Sequence, residues 1–191
     1  MTTTPQISQE TVGEFVIAAH HDLGKVKDLH AAHPELLNAR YVPFNETAVE
    51  AASHMGNREI AGYLLASGVP MVICTAAMLG LGEQVGQFLN ADPSLSTAKG
   101  AHGITVMYHA ALGGRPEIGE MLLARGGGEG MSDALHAAVK FGHADMVQWL
   151  LTHGATDIEV LDFEKKTPLQ VAEGKGDTRI AELLREHGAA E

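Results

Sequence analysis

The sequence predicts an all-α protein, a solenoid of stacked helix–turn–helix pairs in which one frame is used about six times. The first observation behind this is internal likeness. TAVEAASHMGNREIAGYLLASG (47–68) and DALHAAVKFGHADMVQWLLTHG (133–154) share a small-residue pair, a glycine nine positions into the frame, and an apolar pattern closing on Leu-Leu, two residues and Gly. The second is spacing. The hinge positions His21, Gly56, Gly80, Gly114, Gly142 and Gly176 recur at intervals of 35, 24, 34, 28 and 34 residues, a period typical of helical repeat arrays. The third is composition: 22 glycines and 5% aromatic residues within a chain that is 45% hydrophobic favour closely packed helices separated by many turns.

Taken in order, the first copy (roughly 12–37) carries Ala18, Val26 and Leu29, with His21 where the others have glycine. The second (47–68) turns at Gly56. The third (71–92) has Ala76-Ala77, Gly80 and Phe88-Leu89, and the fourth (105–126) has Ala110-Ala111, Gly114 and Leu122-Leu123. In the fifth, a first helix presents Leu135, Ala138 and Val139 and ends at Gly142, as expected of a residue that takes positive φ beyond a helix. Its second helix places Met146, Val147, Leu150 and Leu151 on one face and stops at Gly154. TPLQVAEGKGDTRIAELLREHG (167–188) supplies the sixth. The expected organisation is a polar segment at 1–11, one repeat domain at 12–188 with its end copies acting as caps, and a short tail at 189–191.

TPLQVAEGKGD at 167 and ALHAAVKFGHADMVQWLLTHGA at 134–155 resemble the signature of the ankyrin repeat family. The resemblance covers about residues 12–188. It implies helix pairs stacked side by side, a β-hairpin finger at each junction, and a concave groove, formed by finger tips and first helices, that usually binds a protein. A full finger needs a period near 33 residues. Only Val69 and Pro70 separate Gly68 from the third frame, and GGGEGMS (126–132) bridges the fourth and fifth. Full fingers are therefore expected only at 38–46, 95–104 and 155–166, about three in all, with gaps over the second-to-third and fourth-to-fifth junctions.

RYVPFNE (40–46) then falls at the tip of the first finger. Tyr41, Val42 and Phe44 are either exposed anchors for a partner or cover for the neighbouring short junction. By the resemblance, the residues before each hinge face the groove: His54 and Met55, Met78 and Leu79, Leu112, Lys140 and Phe141. With His102 at the second finger tip, these define the candidate partner-binding surface, an adaptable, Met-containing floor suited to an apolar peptide or helix. The same large side chains would pack on one another if the missing fingers left them facing inward.

Eleven histidines raise the question of metal or acid–base chemistry. His136 sits where the family has a histidine bridging backbone groups between repeats, and His33, His143, His153 and His187 lie beside helix ends. His54, His102 and His109 are less easily assigned, and together with Tyr108 they form an alternative pocket opened by the missing fingers. No HxxxH, CxxC or HExxH spacing supports a metal site, and no cofactor is expected. Cys74, the lone cysteine, reads as a small buried apolar residue. ARGGGEG (124–130) lacks the Lys-Ser/Thr of a phosphate loop and reads as a flexible junction.

A formal net charge of −11 opposes binding to nucleic acid or an anionic membrane. The single cysteine excludes an intramolecular disulfide and fits a reducing compartment. The N-terminus shows no signal-peptide pattern, and no apolar run is long enough to span a bilayer. The expectation is a cytoplasmic, non-catalytic scaffold or adaptor that binds another protein or peptide, with a homodimer through the apolar groove as an open possibility. The alternative is an enzyme or small-molecule binder using the His/Tyr pocket.

Overall fold

The structure is a computed structural model that describes residues 7–190. Most of the polar segment expected at 1–11, and the last residue of the tail, lie outside the described residues. Six helix pairs follow one another: α1 (Gln9–Ala18) with α2 (Leu23–Ala32), α3 (Ala48–His54) with α4 (Arg58–Ala66), α5 (Ile73–Leu79) with α6 (Gly82–Ala91), α7 (Val106–Gly113) with α8 (Pro116–Leu123), α9 (Met131–Phe141) with α10 (Ala144–His153), and α11 (Pro168–Gly174) with α12 (Thr178–Glu186). The first helix starts at Gln9, three residues inside the segment read as polar tail, because the Ser8 hydroxyl accepts the Thr11 amide and caps it.

Local chemistry explains the recurring turn. Gly56, Gly80, Gly114, Gly142 and Gly176 all adopt φ between 68° and 74°, a left-handed conformation that costs a side chain about 1 kcal/mol or more. Asp22, Asn57 and Asp177 then cap the outer helices α2, α4 and α12 through their side-chain oxygens. At Thr167 the cap is reciprocal: its hydroxyl accepts the Gln170 amide while the Gln170 side chain accepts the Thr167 amide.

The inner helices α5, α7 and α9 pack most closely. Ala76, Ala77, Ala110, Ala111, Ala137 and Ala138 are all buried between them. Gly113 shows how tight this layer is: a Cβ built there would lie 2.3 Å from the Ala77 carbonyl oxygen. Behind them the outer helices supply Ile60, Leu64, Leu89, Ile118, Leu122, Met146 and Leu150, all fully buried, so one apolar layer runs the length of the stack.

The fingers depart from expectation. The first is a hairpin of β1 (Arg40–Tyr41) and β2 (Glu46–Thr47), antiparallel with Arg40 opposite Thr47 and Tyr41 opposite Glu46. A 3-10 turn at Val42–Phe44 and left-handed Asn45 close it. The second has a single bridge between Lys99 and Thr105, its tip curled by a 3-10 turn (Ala101–Gly103) with His102 at φ 57°. The 155–166 segment forms no ladder; there the Asp162 carboxylate accepts the Glu164 and Lys166 amides at 2.8 and 2.9 Å. Those side-chain bonds occupy donors that strand pairing would need. Instead of about three hairpins, one is present among the described residues.

Two glycine substitutions separate close packing from chain entropy. Gly113→Ala forces a methyl group into a backbone oxygen and is expected to destabilise the fold by about 1–3 kcal/mol. Gly62→Ala, in the exposed middle of α4 with open space around it, is expected to stabilise it by about 0.5–1 kcal/mol. Urea unfolding midpoints of the two variants check both signs.

Candidate functional site

The first finger is held down at both edges. Gln9 on α1 accepts the Val42 amide at 2.9 Å and donates to the Arg40 carbonyl. Arg40 in turn donates to the Asn45 carbonyl and to the Glu50 carboxylate. Tyr41 lies back against Gly13 of α1, where a Cβ would come within 2.7 Å of its ring. Cross-strand partners share a face, so Glu46, opposite Tyr41, is also turned inward.

Glu46 is fully buried, and three histidines from three different places surround it. His54, the last residue of α3, places Nδ1 2.9 Å from Oε1. His20, in the turn after α1, directs Nε2 to 3.5 Å from Oε2 while its Nδ1 donates to the Val16 carbonyl at 3.0 Å. His102, at the second finger tip, brings Nε2 to 3.6 Å from Oε2. The rings meet edge to face, with centroids 5.1 Å apart for His20 and His54 and 5.3 Å for His54 and His102. Phe44 stands 6.5 Å from His102 on the outer side.

The distances and the hydrogen bonding at this site disagree in a telling way. The His54 nitrogen is close enough to Glu46 for a hydrogen bond, yet neither Glu46 oxygen nor His54 Nδ1 has a partner at acceptable angles. Burial pushes the Glu46 carboxyl up, but the short, poorly angled His54 contact, and after it the charges of His54, His20 and His102, outweigh it and hold the group below its ordinary value.

The structure joins only part of the alternative pocket expected from sequence. His54 and His102 meet at Glu46, and Tyr108 and His109 are not part of that cluster. His109 is buried with Nδ1 donating to the Thr105 carbonyl at 2.8 Å, and burial, with a smaller contribution from His54, lowers its pKa to about 4. Burial, then Asp133, pushes the half-buried Tyr108 phenol up. His20 and Glu46 were missed by sequence reasoning. The available signal was that Glu46 closes the finger strand opposite Tyr41, and so shares its inward face. His136 and His143 do tie repeats together, bonding the carbonyls of Val160 and Leu112.

The expected groove floor needs correction at two positions. Met78 and Leu112 are buried at 0% and 3% exposure, because the inner helices approach so closely that the residues before the hinge are covered. Leu79 is half-buried. Phe141 is partly exposed but its ring lies over Gly56. Lys140 and Met55 are exposed, as are Val42 (69%) and Phe44 (44%). Leu161 and Phe163, neither singled out in the sequence, stand out from the 155–166 segment with Phe163 fully exposed.

Over the fingerless second-to-third junction lies a cavity of about 290 Å³, walled by Ile73, Cys74, Phe88, Leu95, Gly100 and His109. Burial, assisted by Glu50, pushes the Cys74 thiol up to about 12, so it is a protonated, apolar wall residue.

Stacked helix pairs joined by left-handed glycines, with finger loops over closely packed inner helices, define an ankyrin-type repeat protein. The chain belongs to the ankyrin repeat family: the family model for ankyrin repeats (3 copies) matches residues 73–159 and 127–191, together more than half of its length. Such repeats are protein–protein interaction modules. His20, Glu46 and His54 lie outside the matched residues. Among curated proteins, the chain is similar to the I-Kappa-B like protein C2 of Microplitis demolitor bracovirus (isolate Webb), at 36% identity over 55 residues covering 29% of this chain and 30% of that protein. It is also similar to the Nuclear factor NF-kappa-B p105 subunit of Mus musculus, at 38% over 56 residues, 29% of this chain and 6% of that protein. A third is the ARF GTPase-activating protein Git of Drosophila melanogaster, at 43% over 54 residues, 28% of this chain and 7% of that protein. The matched stretch thus spans less than a third of each relative. No helix among the described residues is long and apolar enough to cross a membrane.

His109 makes stability depend on pH. Its pKa is lowered from 6.5 to about 4 in the folded state, so the unfolded chain binds the proton more readily. Stability is flat above about pH 6.5, falls as pH drops toward 4, and levels off below that, with a total loss of roughly 3 kcal/mol. His109→Gln is expected to flatten this part of the acid slope. Urea midpoints for both proteins at pH 7 and pH 4.5 check it.

Proposed function

We propose that the chain is a non-catalytic binding module that holds another protein against its finger face. The observation that carries this is where apolar surface is left in water. Four of the eight large apolar side chains exposed among the described residues, Val42, Phe44, Leu161 and Phe163, stand on finger segments. Exposed aromatic side chains on a rigid scaffold serve as anchors in interfaces, because little conformational entropy is lost when they are covered. The stack's inner layer supplies that rigidity.

The likeness to a protein named as an NF-kappa-B subunit, and to an I-Kappa-B like protein, supports a role in assembly with other proteins. The cavity beside Cys74 offers less for catalysis. Its thiol is held protonated and His109 sits among apolar groups with its Nδ1 already donating to a carbonyl, so neither is poised as a nucleophile or a base. The protein is placed in the cytoplasm by this reading, in keeping with its single free cysteine.

Capture from the source lysate tests the reading when wild type is run beside Phe44→Ser/Phe163→Ser and an outer-face control, Glu117→Gln. A partner retained by wild type and by the control, and at least tenfold depleted on the double variant, is expected; tenfold corresponds to about 1.4 kcal/mol of lost contact. Equal recovery on all three would remove the finger tips from the interface.

A further inference from the structure

We propose that His20, Glu46, His54 and His102 form a binding site for one divalent transition-metal ion, with zinc as the probe. The donor set of three imidazoles and one carboxylate is the kind that such ions prefer. One ligand atom from each of His20, Glu46 and His54 lies within 4.8 Å of the others. The individual separations to Glu46 are 2.9 Å for His54, 3.5 Å for His20 and 3.6 Å for His102. Four ligands at zinc–nitrogen and zinc–oxygen bond lengths around a tetrahedral centre stand about 3.4 Å apart. The distances to Glu46 lie near that spacing, and His20, Glu46 and His54 form the compact part of the set.

Hydrogen bonding points the same way. Both Glu46 oxygens and His54 Nδ1 are buried and make no acceptable hydrogen bond, and buried polar groups left unsatisfied are costly. The groups do not resolve this among themselves. His20 Nδ1 donates to the Val16 carbonyl, so a neutral His20 presents a bare lone pair at Nε2 to the carboxylate. Protonating the imidazoles instead sets positive charges against each other on rings about 5 Å apart. A dication shared by the carboxylate and the neutral imidazole nitrogens satisfies all of them. The His20–Val16 bond is then the outer contact that fixes the tautomer and orientation of a ligating histidine. The site also has an entrance: Glu46 forms its floor, while the half-exposed His102 stands at the solvent side.

The ligands come from the turn within the first repeat, the first finger, the second inner helix and the second finger. A bound ion therefore staples the two fingers together beside Phe44.

The test uses the whole chain, stripped with chelator and exchanged into metal-free buffer. It is titrated with Zn²⁺ by calorimetry and with Co²⁺ by visible absorption, beside Glu46→Gln, His54→Ala, His102→Ala and the exposed-histidine control His33→Ala. The expected result is one ion per chain, intense tetrahedral Co²⁺ bands, and affinity at least tenfold weaker in the first three variants but unchanged in His33→Ala. Zinc also raises the melting temperature of wild type and not of Glu46→Gln. His102→Ala alters a surface side chain, so it keeps the test decisive if a variant of a buried ligand fails to fold, as circular dichroism would reveal. The proposal is overturned if wild type shows no saturable one-to-one binding, or if folded Glu46→Gln or His102→Ala binds zinc as tightly as wild type.

Discussion

Two residues, Val69 and Pro70, stand between the closing glycine of the second repeat and the frame of the third, and that shortage of chain shapes the finger face. No hairpin can be built from so little backbone. The third repeat therefore docks directly on the second through its inner helix, and the loop that precedes the fourth repeat passes over the space left free. That loop, carrying Ala101–Gly103, contacts α3 two repeats away. In an array with a finger at every junction, His102 would face its immediate neighbour. Here it meets His54 and Glu46.

This arrangement depends on small residues below it. The layer of α5, α7 and α9 is thin because alanines and Gly113 line it, and a side chain at Gly113 would strike the Ala77 carbonyl. The same closeness buries Met78 and Leu112, so the apolar surface available to a partner moves to the finger loops, where Val42, Phe44, Leu161 and Phe163 are exposed. Between the first two fingers the protein has buried a carboxylate. A buried charge is retained only when its surroundings compensate it, and the compensation here comes from histidines that no single repeat supplies.

The sequence revealed the stack clearly because glycine at a left-handed turn, present in five of the six copies, and paired apolar residues on one helix face are local signals. The missing fingers were legible for the same reason, as deficits in spacing. Individual fingers were not. Strand pairing at Lys99–Thr105 and at 155–166 is decided by side-chain and turn geometry around His102 and Asp162, which a residue count does not contain. The histidine cluster was half visible. His54 and His102 stood out as histidines without a family role, but their meeting with His20 and Glu46 needs the fold: positions 20, 46, 54 and 102 fit no ligand-spacing motif. Tyr108 and His109 looked equivalent in sequence and proved to belong to the inner layer.

The central claim is that the second finger crosses the fingerless third repeat to meet the first. Proton–proton nuclear Overhauser contacts of the His102 ring, in the full chain with labelled histidine and phenylalanine, measure this directly. The account predicts contacts from His102 to both His54 and Phe44, whose ring centroids lie 5.3 and 6.5 Å away. A His102 ring with contacts only to its own finger and to the third repeat would contradict it.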